Sequence, residues 1–162
     1  MKKHTLKIKS DLHEIAEVER FVEDICDYYN LYNSYFGNIM VAVTEAVENA
    51  IVHGNLQDKD KFVLIHFDFS QKGIKFTIED QGVGFDYGSI PDATDAQGNP
   101  DKKGTGIYLI KTLSDDVHFL DKGRKIQIVF NITSINNEVY LFRKKQLDEY
   151  FKVKKNIFEK KG

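Results

Sequence analysis

Cysteine occurs once in this chain of 162 residues, tryptophan not at all, and proline only twice. A single thiol, Cys26, excludes an internal disulfide and any cysteine-cluster metal site; within a helical pattern it reads as a small core hydrophobe. No apolar run approaches the roughly 20 residues a helix needs to cross a bilayer. The opening MKKHTLKIKSD carries lysines but alternates polar with apolar instead of building the apolar centre of a signal peptide. Neither sign of charge dominates: a formal net charge of -2 gives no general pull towards nucleic acid or an anionic membrane. The phosphate loop GxxxxGK[ST] is absent, and no GxGxxG follows a strand pattern. What is present is an ordinary globular composition, 41% hydrophobic and 30% charged, of a length that suits one domain with a substantial core. A soluble, cytoplasmic protein is expected.

The stretch that organises the rest is VAVTEAVENAIVHGN, residues 41–55. At helical spacing Glu45 and Asn49 are four apart, so a carboxylate and an amide lie on one face, one turn from each other. Ala42, Val43, Ala46, Val47, Ala50 and Ile51 are small or apolar, so most of the helix circumference is buried. A carboxylate and an amide on such a helix are costly unless each has a partner, which marks a site. The helix is expected to run from about Tyr35 to His53, with Gly54 as a left-handed stop and His53 packing or capping its end.

Residues 4–9 alternate with period two and predict a strand with Leu6 and Ile8 on one face. Ser10 or Asp11 can cap the helix that follows, whose apolar positions Ile15, Val18, Phe21, Val22 and Ile25 carry it to about Tyr29. Residues 62–69 and 74–79 predict two strands joined at Gln71-Lys72-Gly73. A helical pattern begins after Gly106 (Ile107, Leu109, Ile110, Leu113), and residues 117–120 and 125–132 predict two more strands around Asp121-Lys122-Gly123. Helices beside strands of this kind indicate an α+β layer packing. Residues 87–103 hold both prolines and no periodicity, so they are either disordered or a functional lid. Residues 139–162 form a lysine-rich extension with apolar positions at Leu147, Tyr150 and Phe151, expected as a solvated tail or as a helix docked on the preceding domain, 1–138.

Two glycine motifs add chemistry. In DQGVGFD, Asp80 ends a strand where its carboxylate can accept a hydrogen bond from an exocyclic amine, while Gly82 and Gly84 allow close approach of the backbone. In KKGTG, the free N–H groups at a helix start offer a seat for phosphate oxygens, with Lys102 and Lys103 supplying positive charge beside it.

The combination E-x-x-x-N-A-x-x-H-G (Glu45, Asn49, Ala50, His53, Gly54), D-x-G-x-G (Asp80, Gly82, Gly84) and G-x-G-I (Gly104, Gly106, Ile107) resembles the nucleotide-binding boxes of the histidine-kinase-like ATPases, which include gyrase and MutL. Within them, VAVTEAVENAIVHGN with GTGIYLIKTLSDDV is similar to the small anti-sigma-factor serine-protein kinases, over roughly residues 6–132. The resemblance implies a two-layer α/β sandwich with helices on one face of a mixed, mainly antiparallel sheet. It implies that Asn49 ligates Mg²⁺ bridging the phosphates of ATP, and that Glu45 is the base for a partner protein's seryl hydroxyl. Asp80 would take the adenine amino group, Gly82 and Gly84 would make room for the base, and Lys103, Gly104, Thr105 and Gly106 would cradle phosphates. The partners implied are a sigma-factor-like regulator and its antagonist, with a homodimer expected; Arg20 on the first helix reads as a surface arginine, which in such a family would be a partner contact. A nucleotide-gated binding module without kinase turnover would use the same boxes.

Overall fold

A computed structural model of the chain describes residues 4–31, 35–70, 73–84, 105–131 and 137–161. Five strands form one sheet in the order β1-β2-β3-β5-β4: β1 (Thr5–Lys9), β2 (Phe62–Ser70), β3 (Gly73–Glu79), β4 (Asp116–Leu120) and β5 (Lys125–Phe130). Every described pairing is antiparallel. The pairs Phe67↔Phe76 and Phe76↔Ile128 run straight across the middle of the sheet. Period-two alternation sends Val63, Ile65 and Phe67 of β2, Ile74, Phe76 and Ile78 of β3, and Ile126, Ile128 and Phe130 of β5 to one buried face. Each buried phenylalanine there stabilises the fold by roughly 1.5–3 kcal/mol. The opposite face carries Glu79 against Lys125 at 3.1 Å and Asp68 against Lys75 at 3.4 Å. Phe69, on the apolar side of β2 in the alternation, is exposed near the strand end, where its ring stacks on Tyr29.

Helices cover the buried face. In α1 (Ile15–Tyr28), Val18, Phe21, Val22, Ile25 and Cys26 form one buried stripe, as their spacing predicts. Asp11 supplies the cap, accepting from the His13 N–H at 3.0 Å ahead of a short turn at Leu12–Glu14. In α2 (Phe36–Asn49), Val41, Ala42, Val43, Ala46 and Val47 are buried, which leaves Thr44, Glu45, Glu48 and Asn49 half-exposed along the remaining edge. The next helix, α3 (Thr105–Leu113), packs on α2 through Leu109, Ile110 and Leu113. The two-layer sandwich implied by the motifs is the observed architecture.

The end of α2 differs from expectation. Gly54 is not in the left-handed region; the helix widens into a π-helical turn over Ala50–Gly54, closed by Asn55 N–H donating to Ala50 O at 2.8 Å. Leu56 and Gln57 take the positive φ values instead, at 55° and 56°. His53 is exposed in the last turn of this helix, so of the two expected roles packing is not observed. The C-terminal residues form a helix, α4 (Asn137–Lys161), that lies against α2 and α3.

Candidate functional site

Asn55 sets the frame of the site. It is fully buried; its Nδ2 donates to Phe62 O at 2.9 Å and its Oδ1 accepts from Gln81 N–H at 2.7 Å. The end of α2 is thereby tied both to the start of β2 and to the loop after β3. Gln81 completes the tie by accepting from Phe62 N–H at 2.7 Å. The extra residue of the π turn places Asn55 beneath the loop, an insertion of the kind that recurs at functional sites. The sequence gives one signal for Asn55, an amide directly after a helix-ending glycine, and it reads there only as part of a polar connection.

Asp80 stands beside this frame. Its N–H donates to Arg124 O at 2.9 Å, and its Oδ1 accepts from Gly82 N–H at 2.8 Å. A side chain on Gly54 would run into the Asp80 carboxylate, and one on Gly82 into the Gly54 carbonyl. Glycine at both positions is therefore what lets α2 and the β3 loop close on each other. Gly84 has φ +96° and faces the Lys122 carbonyl, a position where any Cβ is strained as well as crowded. Burial raises the Asp80 carboxyl above the ordinary range, opposed by the Gly82 N–H and by the Arg124 charge.

Glu45 and Asn49 sit where helical spacing puts them, one turn apart on the half-exposed edge of α2, and the start of α3 lies directly over them. A Cβ built on Gly106 would stand 2.9 Å from Glu45 Oε2 and 3.4 Å from Asn49 Nδ2. Three separate stretches of sequence thus meet along α2 and the turn that ends it: the Asp80–Gly84 loop lies against Gly54, and the N-terminal end of α3 lies against Glu45 and Asn49. Lys102, Lys103 and Gly104 lie outside the described residues, as does the expected lid; Thr105 opens α3, and only its backbone is described. Arg20 is exposed on α1 and paired with Glu17 at 2.7 Å.

One contact has no counterpart in the sequence reading. Tyr150 of α4 donates its phenolic O–H to Glu45 Oε1 at 2.9 Å. Burial and the Glu45 charge push that phenol well above its usual value, so it remains a donor. Glu48, one turn away, has a raised carboxyl because of burial and then of Glu45, an effect that Lys154 of α4 opposes.

The residues fit a magnesium nucleotide. A half-buried carboxylate with one oxygen already bonded to backbone can accept from an amine with the other. The absence of a side chain at Gly106 lets the start of α3 approach Glu45 and Asn49 closely. Helix N–H groups at the start of α3 favour phosphate oxygens. Among the described residues no three His, Cys, Asp or Glu side chains cluster as a ready metal cage. Mg²⁺ suits such a place because it retains waters and takes phosphate oxygens alongside one or two protein ligands.

Known proteins are similar to this chain. An anti-sigma F factor of Clostridium perfringens is 29% identical over 119 residues, covering 69% of this chain and 76% of that protein. The serine-protein kinase RsbW of Bacillus thuringiensis is 21% identical over 128 residues, covering 75% of this chain and 79% of that protein. Residues 8–130, from β1 through the end of β5, match the family model of the histidine kinase-like ATPase domain, and the chain belongs to that family.

Proposed function

We propose that this chain is an ATP-dependent protein kinase of the anti-sigma type, which transfers the γ-phosphoryl group of ATP to a serine or threonine hydroxyl of a partner protein. The observation that carries the reading is the convergence of Glu45 and Asn49 on Gly106 at the start of α3, with Glu45 Oε2 2.9 Å from the position of a Cβ there. The names of the relatives, an anti-sigma F factor and a serine-protein kinase, support it.

Each residue has a role in this reading. Asp80 accepts a hydrogen bond from the adenine amino group, and Gly82 and Gly84 make room for the base. Lys103, Gly104, Thr105 and Gly106 hold phosphate oxygens by charge and by free N–H groups. Asn49 would hold Mg²⁺, and the ion would supply neutralisation of phosphate charge. Glu45 accepts the proton of the attacking hydroxyl as its oxygen bonds to γ-phosphorus; the bond from γ-phosphorus to the β–γ bridging oxygen breaks, and ADP leaves. Phosphoryl transfer depends mainly on positioning and charge stabilisation, which these elements provide without a Walker-type loop.

The partner in this proposal is a sigma-factor-like regulator together with its antagonist, met by a homodimer of this chain in the cytoplasm. Among the described residues no helix is long and apolar enough to cross a membrane. The test is incubation with γ-labelled ATP, Mg²⁺ and the protein encoded beside this one. Label on a seryl or threonyl side chain supports the kinase; nucleotide occupancy without label on any protein leaves the nucleotide-gated binding module.

A further inference from the structure

The C-terminal helix closes over the site by a narrow strip. Arg143, Leu147, Tyr150 and Lys154 fall at spacings of four, three and four, so they share one face of α4. Arg143 anchors one end: it is buried, donating from Nε to Thr112 O at 3.1 Å and from Nη2 to Ser114 O at 2.6 Å and Asp115 Oδ1 at 2.9 Å. These acceptors lie at the C-terminal end of α3, where a cation is favoured. Leu147 packs on the open face of Gly37, with Cδ1 3.2 Å from where a Cβ would be. Lys154 lies beside Glu48 and 5.0 Å over the Tyr150 ring. Between these, the Tyr150 hydroxyl reaches Glu45 Oε1 at 2.9 Å. Phe142, Phe151 and Val153, off this strip, are exposed, as is Ile157 beyond its last contact.

A hydroxyl at about 2.6–3.2 Å from a carboxylate oxygen is the arrangement a general base requires of its substrate. We propose that α4 is an autoinhibitory strap, in which the Tyr150 hydroxyl holds the place on Glu45 that an acceptor hydroxyl must take, so that turnover requires Tyr150 to leave. This inference rests on the kinase reading and adds its regulation. An acceptor of the right shape competes with Tyr150 for one carboxylate oxygen. The anchor at Arg143 lies away from Glu45, so the Tyr150 end can lift while the helix stays attached. The phenol cannot take over the role of base, because it keeps its proton.

The experiment compares the full wild-type chain with Tyr150→Phe and with the double variant Glu45→Gln/Tyr150→Phe, measuring Mg·ATP binding by calorimetry and ADP release both with water and with the protein encoded beside this one as acceptor. Phenylalanine keeps the ring packed and removes only the hydroxyl. Losing one hydrogen bond that competes with the acceptor raises kcat by about 3- to 10-fold and leaves the KM for ATP within about twofold. The double variant must lose that gain, because the freed base is gone. A Tyr150→Phe rate equal to or below an active wild type, or a gain that survives Glu45→Gln, overturns the strap. If wild type and Tyr150→Phe both hold Mg·ATP and neither releases ADP with either acceptor, the kinase reading itself falls and takes the strap with it.

Discussion

At the scale of single residues the account depends on atoms a few ångströms apart, and each can be moved separately. Glu45 acts only as the hydroxyl proton leaves, so Glu45→Ala should keep Mg·ATP binding and cut transfer by about 10²–10³-fold, the usual cost of an interaction made in the transition state. Calorimetry beside labelled transfer reads both; an equal loss of both contradicts its role as a base. Gly106→Ala is the finer test. The new methyl would meet the end of a flexible carboxylate, so the fold gives way cheaply while Glu45 is displaced. Turnover should fall by about 10-fold or more, since a shift of about 1 Å suffices, and the melting temperature should barely change. Asp80 opposes function to stability. Its carboxyl is raised by burial, so its contribution to the nucleotide-free fold is fully present below the unfolded pKa and is lost as pH rises through the folded one. Asp80→Asn, which can still accept from Gly82 N–H, should therefore raise the melting temperature at pH 7 by a few degrees, about 2–4 °C per kcal/mol. It should weaken ATP binding about 10-fold or more through the lost charged acceptor. In the wild type the same raised carboxyl makes ATP affinity fall on acidification at a higher pH than an ordinary aspartate would give.

At the scale of elements, α4 is anchored to the body by Arg143, whose buried guanidinium bonds two carbonyls at the end of α3 and the Asp115 carboxylate. Arg143→Ala should cost about 2–3 kcal/mol, each hydrogen bond to a charged group being worth about that much at most when neighbours compensate. Faster amide exchange along α4 than along α1 in this variant would confirm the anchor; unchanged exchange would refute it. The elements differ in how far the sequence reveals them. Period-two and helical spacing locate β1 through β5 and α1 through α3 because burial on one face repeats at fixed intervals. The π-helical turn at Ala50–Gly54 leaves no such trace: one added residue per turn is decided by Asn55 reaching Phe62 and Gln81, partners 7 and 26 residues away. Gly54 likewise reads as a helix stop, yet its lack of a side chain serves the Asp80 carboxylate from another strand. Glu45 and Asn49 are legible because they lie one turn apart on a single helix. Tyr150 on Glu45 is not, because 105 residues separate the two and only the packing of α4 joins them.

For the whole molecule, the sheet and its helices bring three distant segments to one place, and a ligand that bridges them must stabilise them together. Asp80 stands on the β3 side, Glu45 and Asn49 on α2, and Gly106 at the start of α3; unfolding any one of them dissolves the site. Ligand that binds only the folded chain adds about 2.7 kcal/mol at a hundredfold excess over its dissociation constant, which for a chain of 162 residues is a rise in melting temperature of about 5–10 °C. The same excess of Mg·ATP should give Asp80→Asn a much smaller rise. Thermal unfolding of the wild-type chain with and without saturating Mg·ATP is therefore the most direct measurement: a rise of several degrees that shrinks in Asp80→Asn is expected, and an unchanged midpoint in both proteins would contradict a nucleotide held between α2, the Asp80 loop and α3.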